Sequence, residues 1–221
     1  MPEPQPRRAC TRCGRCCASS TPSLQLQDFR LVNNGMIPRS ALYTVRVGEL
    51  VWDNINQRNI PTNQELIKIK EKEQGTECVF HIPYPSRCTI YPQRPAQCRA
   101  LKCWDTTEFE EVFIGPKLNR WELISDPLLH GLVREHERRC SYKQLSRLVK
   151  EIPEAGEKAV EEIIEVLRFD TGIRPFVASK LGILAEEIDL FFGRPLRTTI
   201  AMFGLQVIKE PDGSFFLTVR K

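Results

Sequence analysis

Apolar and polar positions alternate in two different rhythms along this chain. Leu24 to Asn33 carries its apolar residues at helical spacing and stops at Asn34-Gly35, where a glycine suits the left-handed stop of a helix. Leu42 to Trp52 alternates through Tyr43, Val45 and Val47 and predicts a strand, and Leu66 to Lys70 does the same through Ile67 and Ile69. Ser125 or Asp126 can cap a long helix that has Pro127 in its first turn and runs to about Lys150. Further on, Ala159, Val160, Ile163, Ile164 and Leu167 share one helical face over residues 154–168. Short helices near 174–181 and 184–191 are expected on either side of Gly182. Thr198 to Lys209 and Ser214 to Arg220 read as two strands around the turn Glu210-Pro211-Asp212-Gly213. The expected class is therefore α+β. An irregular cysteine-rich metal-binding region with short strands and a long helix precedes a small C-terminal module. Three helices followed by a β-hairpin give that module a winged-helix-like order.

The cysteines divide the chain in the same way. There are nine, at 10, 13, 16, 17, 78, 88, 98, 103 and 140, and the last 81 residues contain none. Residues 1–150 are thus expected to form a cysteine-cluster metal-binding domain and 151–221 a helical and β-hairpin module. Charge shifts along with them: residues 150–221 hold 10 basic and 12 acidic side chains, against 22 and 16 in the rest. The total of +4 over 221 residues is too weak to imply a nucleic-acid partner. No apolar run approaches the roughly 18 residues that span a bilayer. Behind the arginines of Met1-Pro2-Glu3-Pro4-Gln5-Pro6-Arg7-Arg8 there is no apolar stretch of a secretory signal. The expected location is the cytoplasm, away from membranes. Thiols stay reduced there, so metal or redox chemistry is favoured over a disulfide scaffold.

Cys10-x2-Cys13-x2-Cys16-Cys17 is the first constellation. A Cys-x2-Cys turn converges two thiolates on one ion, as in zinc sites and iron–sulfur clusters, and Gly14 relieves crowding within the second turn. Neighbouring side chains tend to diverge. Adjacent Cys16 and Cys17 are therefore expected to serve two centres, or one polynuclear centre, rather than one tetrahedral ion. The second constellation is Cys78-x9-Cys88-x9-Cys98-x4-Cys103. Loops must carry these thiols to the first four. Arg12, Arg15, Arg87, Arg94 and Arg99 are placed to give the sulfurs charge and hydrogen bonds, with Arg94 and Arg99 the candidates for contact with a bound group.

Together, Cys10-x2-Cys13-x2-Cys16-Cys17 and Cys78-x9-Cys88-x-Ile90-Tyr91-x2-Arg94-Pro95-x2-Cys98-Arg99 resemble the YkgJ-type cysteine-cluster family, known for its CxxCxxCC motif and described as zinc- or iron-chelating. The resemblance covers about residues 8–105. It implies a metal or iron–sulfur site at Cys10, Cys13, Cys16, Cys17, Cys78, Cys88, Cys98 and Cys103, and it brings no settled activity with it.

Three other signals bear on function. His136 and Cys140, four residues apart on the expected long helix, can share a metal; the polar stretch around His136 predicts an exposed imidazole. His81, three residues after Cys78, can join a site. Ala178-x3-Gly182-x5-Ile188 fits helix-turn-helix packing, but Leu184 to Phe192 is acidic and apolar, which is poor chemistry for phosphate. Phe191-Phe192 and Phe215-Phe216 suit a core or a protein-docking patch.

Three closely spaced cysteines plus a distant one is a common cluster arrangement, whereas zinc favours paired knuckles. The reading is a metal-binding protein with a cysteine-ligated iron–sulfur centre in a structural, sensing or accessory role, zinc being the alternative cofactor. An electron-transfer protein or redox enzyme comes second and a metal-responsive nucleic-acid regulator third. Any partner is expected to be a protein.

Overall fold

The structure is a computed structural model that describes residues 9–53, 58–73, 75–210 and 214–220. In chain order the elements are α1 (Arg15–Ser19), α2 (Phe29–Asn33), β1 (Leu42–Val45), β2 (Leu50–Asp53), β3 (Arg58–Pro61), β4 (Leu66–Ile69), β5 (His81–Ile82), β6 (Arg87–Cys88), α3 (Ala96–Ala100) and α4 (Thr107–Ile114). There follow α5 (Pro127–Arg139), α6 (Tyr142–Ala155), α7 (Glu157–Leu181), α8 (Ile188–Phe192), α9 (Leu196–Thr199), β7 (Leu205–Lys209) and β8 (Phe215–Val219). The chain is 51% helical and 17% strand, so the α+β class holds.

Two compact units interleave along the sequence. One combines residues 1–42 with 66–123, the other 43–65 with 124–221. The boundary expected at residue 150 falls inside α6. All eight cysteines of the two sequence constellations lie in the first unit and Cys140 in the second.

The first unit is built on short segments tied by backbone bonds. Leu24 N–H donates to Ile67 O (2.7 Å), Ile69 N–H to Pro22 O (3.1 Å) and Leu118 N–H to Leu24 O (3.1 Å). Leu24, Ile37, Ile67 and Leu118 are fully buried around these bonds. The helix expected over 24–33 begins as a 3-10 turn at Leu26–Asp28 before becoming α2. It ends near Gly35 at φ +71°, as the αL stop requires.

The second unit carries the long helices. Asp126 caps α5 by accepting from Leu128 N (2.7 Å), with Pro127 in the first turn. The single helix expected to run to Lys150 is broken at Cys140. Arg46 Nη1 takes the Cys140 carbonyl (3.2 Å), an acceptor a continuing helix would use, and Ser141 caps α6 instead. Conversely, the helices expected over 154–168 and 174–181 are one, α7. Asp-Thr-Gly at 170–172 looks like a break in sequence, but the Asp170 carboxylate bonds His136, Arg174 and the Leu196 N–H rather than its own backbone. Leu184 to Phe192, the would-be recognition segment, buries Leu190, Phe191 and Phe192.

The strand expected over 42–52 is two strands, β1 and β2, turned at Gly48 (φ +87°). The strand expected from 198 starts only at Leu205, because 196–203 is helical. β7 pairs antiparallel with β8, Leu205 opposite Val219 and Ile208 opposite Phe216. Phe215 is buried and Phe216 half-exposed. Of the expected turn, Pro211, Asp212 and Gly213 lie outside the described residues, as does the Met1–Arg8 segment. The core of this unit gathers Tyr142, Leu145, Leu148, Ile163, Leu167, Leu196 and Ile200. Among the described residues no helix is long and apolar enough to cross a membrane.

Candidate metal centre

Three short elements bring thiols together in the first unit. α1 carries Cys16 and Cys17 and starts from Gly14 at φ +74°, a conformation natural to glycine. The Cys17 carbonyl accepts the Cys78 N–H (2.8 Å), and Thr76 Oγ1 donates to the Ala18 carbonyl (2.9 Å). These bonds pin the segment leading to Cys78 onto α1. The β5–β6 ribbon then places Cys88 directly across from His81.

α3 presents Cys98. Its start is anchored by buried Asp28, which accepts from Ala96 N (2.9 Å), and Gln97 exchanges hydrogen bonds with Ser23 (3.0 and 2.9 Å). Arg94 supports the same turn by donating through Nε to Cys98 O (3.3 Å) and through Nη1 to Tyr91 O (3.1 Å). Arg99 donates to Arg94 O (2.7 Å). The guanidiniums of Arg12 and Arg94 lie 4.3 and 4.1 Å from the Tyr91 ring centroid. That arrangement connects the first Cys-x2-Cys turn to the segment before Cys98 by cation–π contact.

Cys16, Cys17, Cys78, Cys88 and Cys98 act on one another electrostatically. A hydrogen bond from Cys17 brings Cys16 down to about 6, while Cys16 and burial push Cys17 up, with Cys98 and Cys88 adding to the rise. Burial pushes Cys98 up to about 12, helped by Cys78, Cys16 and Cys88. Burial also raises Cys78. Thiols gathered this closely oppose one another's ionisation, so a bound cation would be needed for several of them to become thiolates together.

The expectation that Cys16 and Cys17 diverge is corrected: their sulfurs are 4.0 Å apart. Successive side chains on a helix are about 100° apart rather than opposite. Two sulfurs on one zinc, each about 2.3 Å away at the tetrahedral angle, stand about 3.8 Å apart, so this pair has the spacing to share one ion.

Cys10 and Cys103 are exposed, and Cys10 Sγ accepts from Arg12 N (3.4 Å). Cys13 is exposed on the same loop. His136 and Cys140 belong to the other unit. His136 is fully buried, not exposed, with Nε2 2.8 Å from Asp170 Oδ1, because the apolar stripe of α5 turns this ring inward beside Phe192. Cys140 is fully buried against Val166. Sequence reasoning missed Glu77, whose carboxylate lies 3.0 Å from His81 Nδ1; four-residue spacing was the available signal.

The donor set is soft and thiol-rich, which suits zinc or an iron–sulfur cluster and not magnesium or calcium. Among the described residues no three His, Cys, Asp or Glu side chains yet close around one point. No curated protein and no solved structure matches the chain. One family model does, over residues 9–113, under the description "Putative zinc- or iron-chelating domain", and it spans every thiol gathered here. Residues 9–113 thus match the model of the CxxCxxCC family.

Proposed function

We propose that this chain is a metal-binding protein whose centre is held by cysteine thiolates, that the centre is an iron–sulfur cluster, and that its role is structural, sensing or accessory. One observation carries the reading: α1 sets the Cys16 and Cys17 sulfurs 4.0 Å apart and ties its Cys17 carbonyl to the Cys78 N–H, with Cys88 and Cys98 near enough to act on Cys17, which makes five thiols in one region. That is more than the four a single tetrahedral ion takes.

Cys16, Cys17, Cys78, Cys88 and Cys98 would hold the group, with Cys10, Cys13 and Cys103 as the remaining candidates. When bound, an iron–sulfur group supplies one-electron chemistry and a cross-link between loops. The protein's own part is charge and order. Burial raises Cys98 and the Arg94 charge offsets a small part of that rise, while Arg94's bonds to two carbonyls hold the Cys98 turn. Arg99 braces Arg94 from behind. Metal binding to such a site is coupled to folding, because thiolates this close repel one another without it.

A single zinc ion is the second reading, favoured by the 4.0 Å spacing of the Cys16 and Cys17 sulfurs. Anaerobic purification with an ultraviolet–visible spectrum and iron, sulfide and zinc analysis on one sample separates the two. Near-equal iron and acid-labile sulfide supports the cluster. Stoichiometric zinc without colour supports the ion. Protein that takes up neither, even after reconstitution, overturns both.

A further inference from the structure

His81 stands among the gathered thiols without belonging to the cysteine motif. Its imidazole is 6% exposed. Nδ1 lies 3.0 Å from Glu77 Oε1, and Glu77 is itself held by Lys72 Nζ (2.5 Å). A carboxylate at Nδ1 keeps the proton there and leaves the Nε2 lone pair outward, the arrangement by which proteins orient metal-binding histidines.

The other edge of the ring faces the cysteine loop. A methyl group added to Gly14, which lies between Cys13 and Cys16, would run into His81 Nε2 and Ser86 Oγ. The ring therefore packs directly on the backbone of the Cys-x2-Cys turn. Across β5–β6, His81 is the register partner of Cys88, and directly opposed side chains share a face with Cβ atoms about 5 Å apart. Nε2 lies 3.3 Å from the Ser86 hydroxyl, a weak bond that a ligand displaces easily.

We propose that His81 is a nitrogen ligand of the cysteine centre, oriented by Glu77 and delivered to the Cys13–Cys16 loop through Nε2. The inference rests on the thiol reading above and deepens it: the centre is mixed Cys/His rather than all-thiolate. Lys72 sets the carboxylate, the carboxylate sets the tautomer, and Gly14 leaves the room.

The test is X-ray absorption fine structure at the zinc edge on the full chain loaded anaerobically with zinc(II) alone. Wild type is expected to show sulfur at about 2.3 Å together with one imidazole nitrogen at about 2.0 Å. His81→Gln should lose the nitrogen and keep the sulfurs. Glu77→Gln should keep both shells while zinc affinity falls about tenfold or more. A sulfur-only shell in wild type, or a nitrogen that persists in His81→Gln, overturns the assignment and leaves the thiol reading standing. Absence of sulfur overturns the thiol reading itself. Should His81→Gln fail to fold, the chain's other two histidines decide the matter. An imidazole shell that survives both His130→Gln and His136→Gln belongs to His81, and one lost in either overturns the proposal.

Discussion

Replacing Asp170 by Asn keeps the side chain's shape and removes its charge at a heavily bonded carboxylate of the second unit. Asp170 is fully buried. Its Oδ1 takes His136 Nε2 (2.8 Å) and Arg174 Nη2 and Nε (2.8 and 3.1 Å), and its Oδ2 takes the Leu196 N–H (2.8 Å). An amide there can face either the histidine and arginine or the backbone N–H with its oxygen, not both, so at least one buried donor loses its acceptor. Removing one partner of a buried pair costs about 3–5 kcal/mol. Arg174 retains Asp189 (3.1 Å) and the Gly193 carbonyl (2.9 Å), which places the expected cost near the lower end, about 3 kcal/mol. At about 2–4 °C per kcal/mol for a chain of this size, Tm falls by about 6–12 °C.

Acid should reveal the same group. Burial alone would raise the Asp170 carboxyl, but the His136 hydrogen bond and the Arg174 charge outweigh it and hold it well below the ordinary carboxylate range. A depressed folded value means the contribution is fully present above the unfolded value of about 3.9 and is lost as pH falls through the folded one. His136, lowered chiefly by burial, adds a loss that begins as pH drops through about 6.5. Thermal melts followed by circular dichroism from pH 7 to pH 3, on wild type and Asp170→Asn, measure both effects. A Tm change below about 2 °C at pH 7, or a variant whose stability falls with acid as steeply as wild type between pH 5 and 3, would falsify this account of the network.

Three further outcomes follow from particular contacts. Gly193→Ala meets both a φ of +70° and Arg46 Cγ at 2.8 Å from the new methyl, so a loss of at least about 1–3 kcal/mol is expected in denaturant titration; an unchanged midpoint refutes it. Gly14→Ala costs about 1–2 kcal/mol in backbone strain and pushes His81 away, so metal bound per chain should drop in elemental analysis, while the αL position alone would lower only stability. Cys140→Ala should lower stability by about 1 kcal/mol and leave metal content untouched, since this thiol is sealed against Val166; a fall in bound metal would contradict that placement.

Much of the candidate site was legible along the chain because thiol ligation depends on residue type and spacing. Cys-x2-Cys-x2-Cys-Cys and the cysteines at 78, 88 and 98 identify soft-metal chemistry before any coordinates. Local signals held where local physics decides. Asp126 and Pro127 begin α5, and Gly35 ends the turn after α2. Leu66–Ile69 is a strand whose alternate side chains, Ile67 and Ile69, are buried.

What spacing could not supply was set by contacts between residues distant in sequence. Arg46, 94 residues before Cys140, takes the carbonyl that ends α5, and Asp170 spends its carboxylate on distant partners, so α7 runs through a stretch that reads as a break. His136 looked exposed among charged neighbours, yet the helix turned it into the core, because a single buried face outweighs the polarity of the residues beside it. The same holds at the centre. Sequence marks eight cysteines as one class, but only folding sets the Cys16 and Cys17 sulfurs 4.0 Å apart, ties Cys78 to Cys17, and places His81 between Glu77 and the Gly14 backbone. Donor chemistry is written residue by residue, whereas which donors meet is settled by hydrogen bonds and steric fit among segments that the sequence keeps tens of residues apart.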